Sequence, residues 1–154
     1  MRIETYPHYE SLNKKLLQES ENISYDWTNK TNVKAQMSNP DTYLKYLNQL
    51  CDWINSLFEQ PTSCYNKWYA RYDEEDYADV HCHSGAYMSF VYYVNTPEGS
   101  SPLVFPDINE TFEAKEGKLL LFSGDTNHYV PANKCKNRVV VAGNISQFTN
   151  VIEY

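Results

Sequence analysis

Between positions 41 and 60 apolar residues recur at steps of three and four: Tyr43, Leu44, Leu47, Leu50, Cys51, Ile54, Leu57 and Phe58 form one stripe of a helix. Asn39-Pro40-Asp41 supplies the start signals, a capping side chain, a proline for the first turn and an early acid, and Pro61 supplies the stop. Positions 10–19 predict a weaker helix, with Leu12, Leu16 and Leu17 inward and Asn13, Lys14, Lys15 and Gln18 toward water. The polar stretch 22–38 suits loops or an edge strand.

After Pro61 the period shortens from 3.6 to 2. Segments 68–72, 87–94, 103–105, 118–122 and 138–145 are rich in aromatic and β-branched residues and predict strands. Turn signals separate them at Pro97-Glu98-Gly99, Pro106-Asp107, Glu116-Gly117, Ser123-Gly124-Asp125 and Ala132-Asn133. Helices first and strands afterwards predict an α+β fold, a jelly roll or related two-sheet barrel backed by N-terminal helices, and exclude a doubly wound parallel sheet. We expect one domain over 1–154, with 1–60 mainly helical support and 61–154 the jelly-roll core.

Composition narrows the function. A formal charge of −7 and a pI near 5.0 repel phosphate backbones and anionic lipid, so nucleic acid and membrane are not expected partners. The longest aliphatic stretches, 119–122 and 139–142, fall far short of the ~20 apolar residues that a spanning helix needs. No secretory signal is visible in the first ten residues, and Cys51, Cys64, Cys82 and Cys135 form no CxxC pair. A cytoplasmic protein with free thiols is the expectation, with a disulfide between two of them left open. Fourteen Tyr and three Trp favour a β-rich core or a concave site lined with aromatics.

Three of the four histidines fall in the β half. On a strand His81 and His83 would project to one face about 7 Å apart at Cα, and His128 follows a distant β segment, 47 positions after His81. One histidine in such a domain is ordinarily structural. An H-x-H pair with a third imidazole on another wall of a barrel can converge on iron, zinc or copper. Arg138 opens the apolar strand Val139-Val140-Val141, where an inward guanidinium requires an anion.

Taken in order, Tyr72, His81-x-His83, the strand 89–95 (Ser-Phe-Val-Tyr-Tyr-Val-Asn), Pro102-Leu103-Val104-Phe105-Pro106, the strand 117–123, His128-Tyr129-Val130 and Arg138 resemble one family. It is the prolyl-hydroxylase-like branch of the iron(II)- and 2-oxoglutarate-dependent oxygenases, and the resemblance covers about residues 68–145. It implies a double-stranded β-helix with Fe(II), 2-oxoglutarate as cosubstrate and O2, hydroxylating a peptide residue or a small metabolite with release of succinate and CO2. It further implies that His81 and His128 bind iron and that Arg138 pairs with the distal carboxylate of 2-oxoglutarate, these three being the catalytic set. Tyr93 would share that carboxylate. Ser89, on the same strand face as Tyr93, would also belong to the cosubstrate pocket, Tyr72 would touch the cosubstrate near the metal, and Leu103 would pack beside its methylene carbons.

One position departs from the family pattern. Where Asp or Glu is usual the chain has His83, so His83 is the third ligand, or a nearby acid such as Asp79 or Asp125 substitutes, or two protein ligands suffice. His83 is favoured because it keeps the i, i+2 geometry, leaving Asp125 as a turn former or an acceptor for an imidazole N–H. Cys82 should face away from the ion as a core thiol. Two other classes remain open: a cupin-like three-His enzyme that does not use 2-oxoglutarate, and a non-catalytic jelly-roll binding protein. Substrate identity and oligomeric state are not legible.

Overall fold

A strand that reads Leu119-Leu120-Leu121-Phe122 has no polar face to offer water, so it must be covered on both sides. In the computed structural model, which describes residues 1–28 and 31–148, it is. The elements are β1 (Arg2–Thr5), α1 (Tyr9–Glu21), β2 (Val33–Lys34), β3 (Gln36–Met37), α2 (Lys45–Ser56), β4 (Thr62–Tyr72), β5 (Tyr77–His81), β6 (Met88–Asn95), β7 (Leu103–Phe105), β8 (Glu110–Phe112), β9 (Lys118–Ser123), β10 (His128–Val130) and β11 (Arg138–Gln147).

The strands form a six-stranded sheet in the order β1-β9-β6-β11-β4-β3 and a five-stranded sheet in the order β2-β5-β10-β7-β8, with antiparallel pairing throughout. Both helices pack on the outer face of the larger sheet, where Leu16, Leu47, Leu50 and Ile54 meet Tyr69, Tyr92, Leu119, Leu121, Val139 and Val141. Its inner face meets the smaller sheet, Trp68, Val91, Leu120, Phe122 and Val140 against Val33, Ala78, Leu103, Phe105 and Val130. Two apolar layers on either side of one sheet make the double-stranded β-helix expected from the sequence, with helices behind it.

Pairing of β11 with β4 and β6 sets the inner face in cross-strand rows. They run Asn66–Asn144–Ser89, then Trp68–Ala142–Val91, then Ala70–Val140–Tyr93, and end at Tyr72–Arg138. The sheet thus carries a polar row at one end and a buried cation at the other.

The expected helix boundaries need correction. Asn39-Pro40-Asp41 does not open α2; the Asp41 N–H donates to Asn39 Oδ1 (2.9 Å), a local side-chain turn, and the helix begins at Lys45. Its cap comes from elsewhere in the chain: Glu19 of α1 accepts the N–H groups of Tyr46 (2.9 Å) and Leu47 (3.0 Å) and the Tyr69 hydroxyl (2.8 Å). A carboxylate there satisfies orphan donors and complements the helix dipole. Asn13, expected to face water, is buried; its Nδ2 donates to the Tyr93 carbonyl (3.2 Å) and its Oδ1 accepts from the Tyr92 hydroxyl (2.6 Å). Strands β1, β5, β8 and β10 were not singled out by periodicity, and three strands come from the first sixty residues.

Glu19→Ala removes three acceptor contacts at the junction of α1, α2 and β4, so it should destabilise the fold by about 1–3 kcal/mol. Urea unfolding should show a lower midpoint at unchanged slope; an unchanged midpoint would show that the cap contributes nothing.

Candidate metal and cosubstrate site

Strand β10 lies between β5 and β7, and its ladder sets His128 directly opposite His81. His83 lies two residues beyond the end of β5, where its N–H donates to the Gly124 carbonyl (2.7 Å). A Cβ on Gly124 would come within 2.7 Å of the His83 carbonyl and 2.3 Å of that of Ala86, so the missing side chain lets the turn after β9 press against the His83 segment. The ring centroids stand 4.3 Å (His81–His128), 5.1 Å (His81–His83) and 5.5 Å (His83–His128) apart. One donor atom from each ring lies within 4.8 Å of the others.

Two rings are held in a definite tautomer. Nδ1 of His81 sits 2.6 Å from the Asp79 carbonyl and Nδ1 of His128 sits 2.9 Å from that of Thr126. A carbonyl oxygen can only accept, so both Nδ1 atoms carry the proton and both Nε2 lone pairs are left for a ligand. Burial lowers the pKa of His83 to about 4 and that of His128 to about 4; on His128 the Thr126 carbonyl opposes it, and neighbouring imidazoles add to the lowering of both. Phe122 packs 4.8 Å from the His128 ring and Trp68 6.2 Å from that of His83, which accounts for the lost hydration. Both are neutral donors at pH 7, as a metal requires.

No carboxylate joins this group among the described residues. Asp79 and Asp125 are exposed, and the imidazole N–H acceptors are main-chain carbonyls, so Asp125 is not the acceptor that its position suggested. Cys82 is exposed too and is not a core thiol; all four cysteines are free.

Arg138 is 1% exposed, inside the layer between the sheets. Its Nε donates to the Ser101 carbonyl (3.0 Å), and its guanidinium carbon lies 4.6 Å from the Tyr72 ring centre and 5.6 Å from that of Tyr93. Nη1 has no hydrogen-bond partner and neither has the Tyr93 hydroxyl. No acidic side chain pairs with Arg138; the ion pairs among the described residues involve Arg2, Arg71 and Lys134. A cavity joins this cation to the three histidines, and Tyr72, Ser89 and Leu103 line it as well. Ser89 stands at the end away from Arg138, with its hydroxyl donating to Asn144 Oδ1 (2.9 Å). Burial raises the Tyr72 phenol to about 12 and pushes Tyr93 up as well, so both stay protonated donors.

The residues therefore fit both groups that the sequence implies. Three imidazoles with one ring nitrogen each inside a 4.8 Å cluster suit a borderline first-row cation. A buried guanidinium edge and a phenol, both unsatisfied, suit a carboxylate. Ser101 and Asn133, the groups that seat Arg138, carry no motif and were missed by sequence reasoning, as was Trp68 beside His83.

No protein-family model matches the chain, and no curated protein matches it in sequence. Solved structures do match in fold. A Pseudomonas putida prolyl-4-hydroxylase superposes with a TM-score of 0.72 at 14% identity, covering 96% of this chain and 92% of that one. The viral collagen prolyl hydroxylase of Paramecium bursaria Chlorella virus-1, described as a 2-oxoglutarate complex, gives 0.69 at 12% identity over 94% and 96%. A prolyl hydroxylase from Trichoplax adhaerens in complex with a hypoxia-inducible-factor peptide gives 0.63 at 14% identity over 93% and 82%. The chain has the double-stranded β-helix fold that these prolyl hydroxylases share.

With metal withheld by a chelator, acid should destabilise the protein. Unfolded imidazoles titrate near 6.5, while folded His83 and His128 resist protonation until about 4, so stability falls as pH drops between those values. For two imidazoles the loss between pH 7 and pH 5 is about 2–4 kcal/mol. Urea midpoints across this range should follow that slope, and the double change of His83 and His128 to Asn should flatten it.

Proposed function

We propose that the protein is an iron(II)- and 2-oxoglutarate-dependent dioxygenase that hydroxylates a peptide residue or a small molecule. The observation that carries the reading is the buried guanidinium of Arg138, with no acidic side chain paired to it, in the same cavity as three clustered imidazoles. When bound, iron with 2-oxoglutarate and O2 supplies oxidative decarboxylation to succinate and CO2, coupled to hydroxylation of an unactivated C–H bond.

The chain's own residues bind, orient and shield. His81, His83 and His128 hold the ion, His81 and His128 through Nε2, their Nδ1–H groups being tied to main-chain carbonyls. His83 in place of a carboxylate leaves the ion more positive than in the usual pattern. Arg138 and the Tyr93 hydroxyl take the distal carboxylate of the cosubstrate, and Tyr72 and Leu103 flank it. Phe122, Val140 and Leu103 form dry walls that keep bulk water from the reacting centre.

The substrate comes from the other side of the histidines. His81, His83 and Trp68 also line an outer groove with Trp27, Met37, Pro40, Asn66 and Asn144. Among the described residues its walls carry no Asp, Glu, Lys or Arg, which suits an uncharged segment. A peptide substrate is supported by the peptide complex of the Trichoplax neighbour. Four free thiols, one of them exposed, fit a reducing compartment such as the cytoplasm.

The absence of a carboxylate from the histidine group favours a second reading, a cupin-like three-His enzyme that needs no 2-oxoglutarate. Arg138 separates the two. In the first reading Arg138→Ala abolishes iron-dependent conversion of 2-oxoglutarate to succinate while metal is still retained. Succinate release that survives the change would overturn the cosubstrate assignment.

A further inference from the structure

Arg138 is aimed by a chain of contacts that begins outside the cavity. Asn133 is fully buried, at 0% exposure, in the loop between β10 and β11. Its side-chain NH2 faces the carbonyls of Tyr72 (3.1 Å), Asp73 (3.4 Å) and Cys135 (2.9 Å), and its Oδ1 accepts the Ser101 N–H (2.9 Å). Its main chain is committed as well: its N–H donates to the Asp76 carbonyl and its carbonyl accepts from the Glu75 N–H, both at 2.8 Å. One residue thus ties together the end of β4, the turn that follows it, the segment before β7 and the approach to β11.

Those are the walls around Arg138. The Ser101 peptide that gives its N–H to Asn133 gives its carbonyl to Arg138 Nε, and the Tyr72 residue whose carbonyl Asn133 holds lays its ring 4.6 Å from the guanidinium. With Nε fixed, the orientation of the planar guanidinium follows, and Nη1 is left without a partner in a residue that lines the cavity. We propose that Asn133 is a positioning residue: by clamping Ser101 and Tyr72 it aims the free edge of Arg138, and so sets the preference for a five-carbon dicarboxylate over shorter 2-oxo acids. The inference rests on the cosubstrate reading of Arg138 given above.

Cobalt(II)-loaded protein, titrated separately with 2-oxoglutarate and with pyruvate and followed by the cobalt absorption bands, tests it. Pyruvate shares the 2-oxo acid end and lacks the distal carboxylate. The wild-type protein should bind 2-oxoglutarate more tightly than pyruvate. Asn133→Ala should lower that preference at least about tenfold, as expected for a misaimed charged hydrogen bond, with cobalt and pyruvate affinities unchanged. Asn133→Ser, measured alongside, carries the same expectation should the alanine variant fail to fold. In an Arg138→Lys background, which lacks the Nε link, Asn133→Ala should produce no further loss of preference.

A retained preference in the Asn133 variants, or a parallel fall of cobalt, pyruvate and 2-oxoglutarate affinity, would overturn the positioning role and leave the cosubstrate assignment standing. Equal binding of the two acids by the wild-type protein would instead overturn the assignment itself, and the inference with it.

Discussion

A guanidinium cannot shed its charge at any pH the protein meets, and taking it out of water costs several kcal/mol unless something replaces the lost hydration. Arg138 is held in that condition with one carbonyl, two aromatic faces and an unpartnered Nη1. The surrounding architecture makes this tolerable. Its strand is central in the larger sheet, paired with β4 along its whole length and with β6 from Val139 to Ile145, so the backbone that carries the charge is fixed. The phenol rings of Tyr72 and Tyr93 supply partial compensation through their faces. What they do not supply is a counter-charge, and binding of a dicarboxylate beside Arg138 would add to the stability of the folded state.

The histidine end poses the opposite problem. Neutral imidazoles are cheap to bury, and the fold keeps His83 and His128 neutral by removing water, while main-chain carbonyls fix the Nδ1 atoms of His81 and His128. With no carboxylate beside the three imidazoles among the described residues, the positive charge of an ion held there would be balanced by an anion entering the cavity. With an ion at the histidine end, both ends of the cavity would favour negative charge, and the walls between them are apolar.

Much of this was legible in one sequence, and the parts that were not have common causes. The long strands announced themselves because both faces are covered, which forces uninterrupted apolar runs such as 119–122 and 139–141. The short strands β5 and β10 did not, since Tyr77 and Val80 are exposed and β10 is three residues long. The start of α2 was misplaced because Asn39-Pro40-Asp41 carries every local capping signal and uses them for a turn, whereas the real cap, Glu19, is 26 positions before Lys45. The three histidines were readable from the H-x-H spacing with a third histidine on a distant β segment, and Arg138 because it is a charge at the head of an apolar strand. Ser101 and Asn133 were not, because their part is played by a backbone carbonyl and by a side chain that satisfies main-chain groups, and neither leaves a composition signature. Asn13 was misjudged for the same reason: an asparagine on a helix reads as solvated until the tyrosine that meets it is known.

The place of β11 in the sheet order has a consequence for how the molecule is made on the ribosome. β11 fills the gap between β4 and β6, yet it is the last described strand to be synthesised. Until it emerges, two long apolar strands present open edges that invite pairing with other nascent chains. The larger sheet then closes in one late step, with partners separated by 66 to 85 residues for β4, a topology that favours slow, all-or-none maturation over stepwise growth.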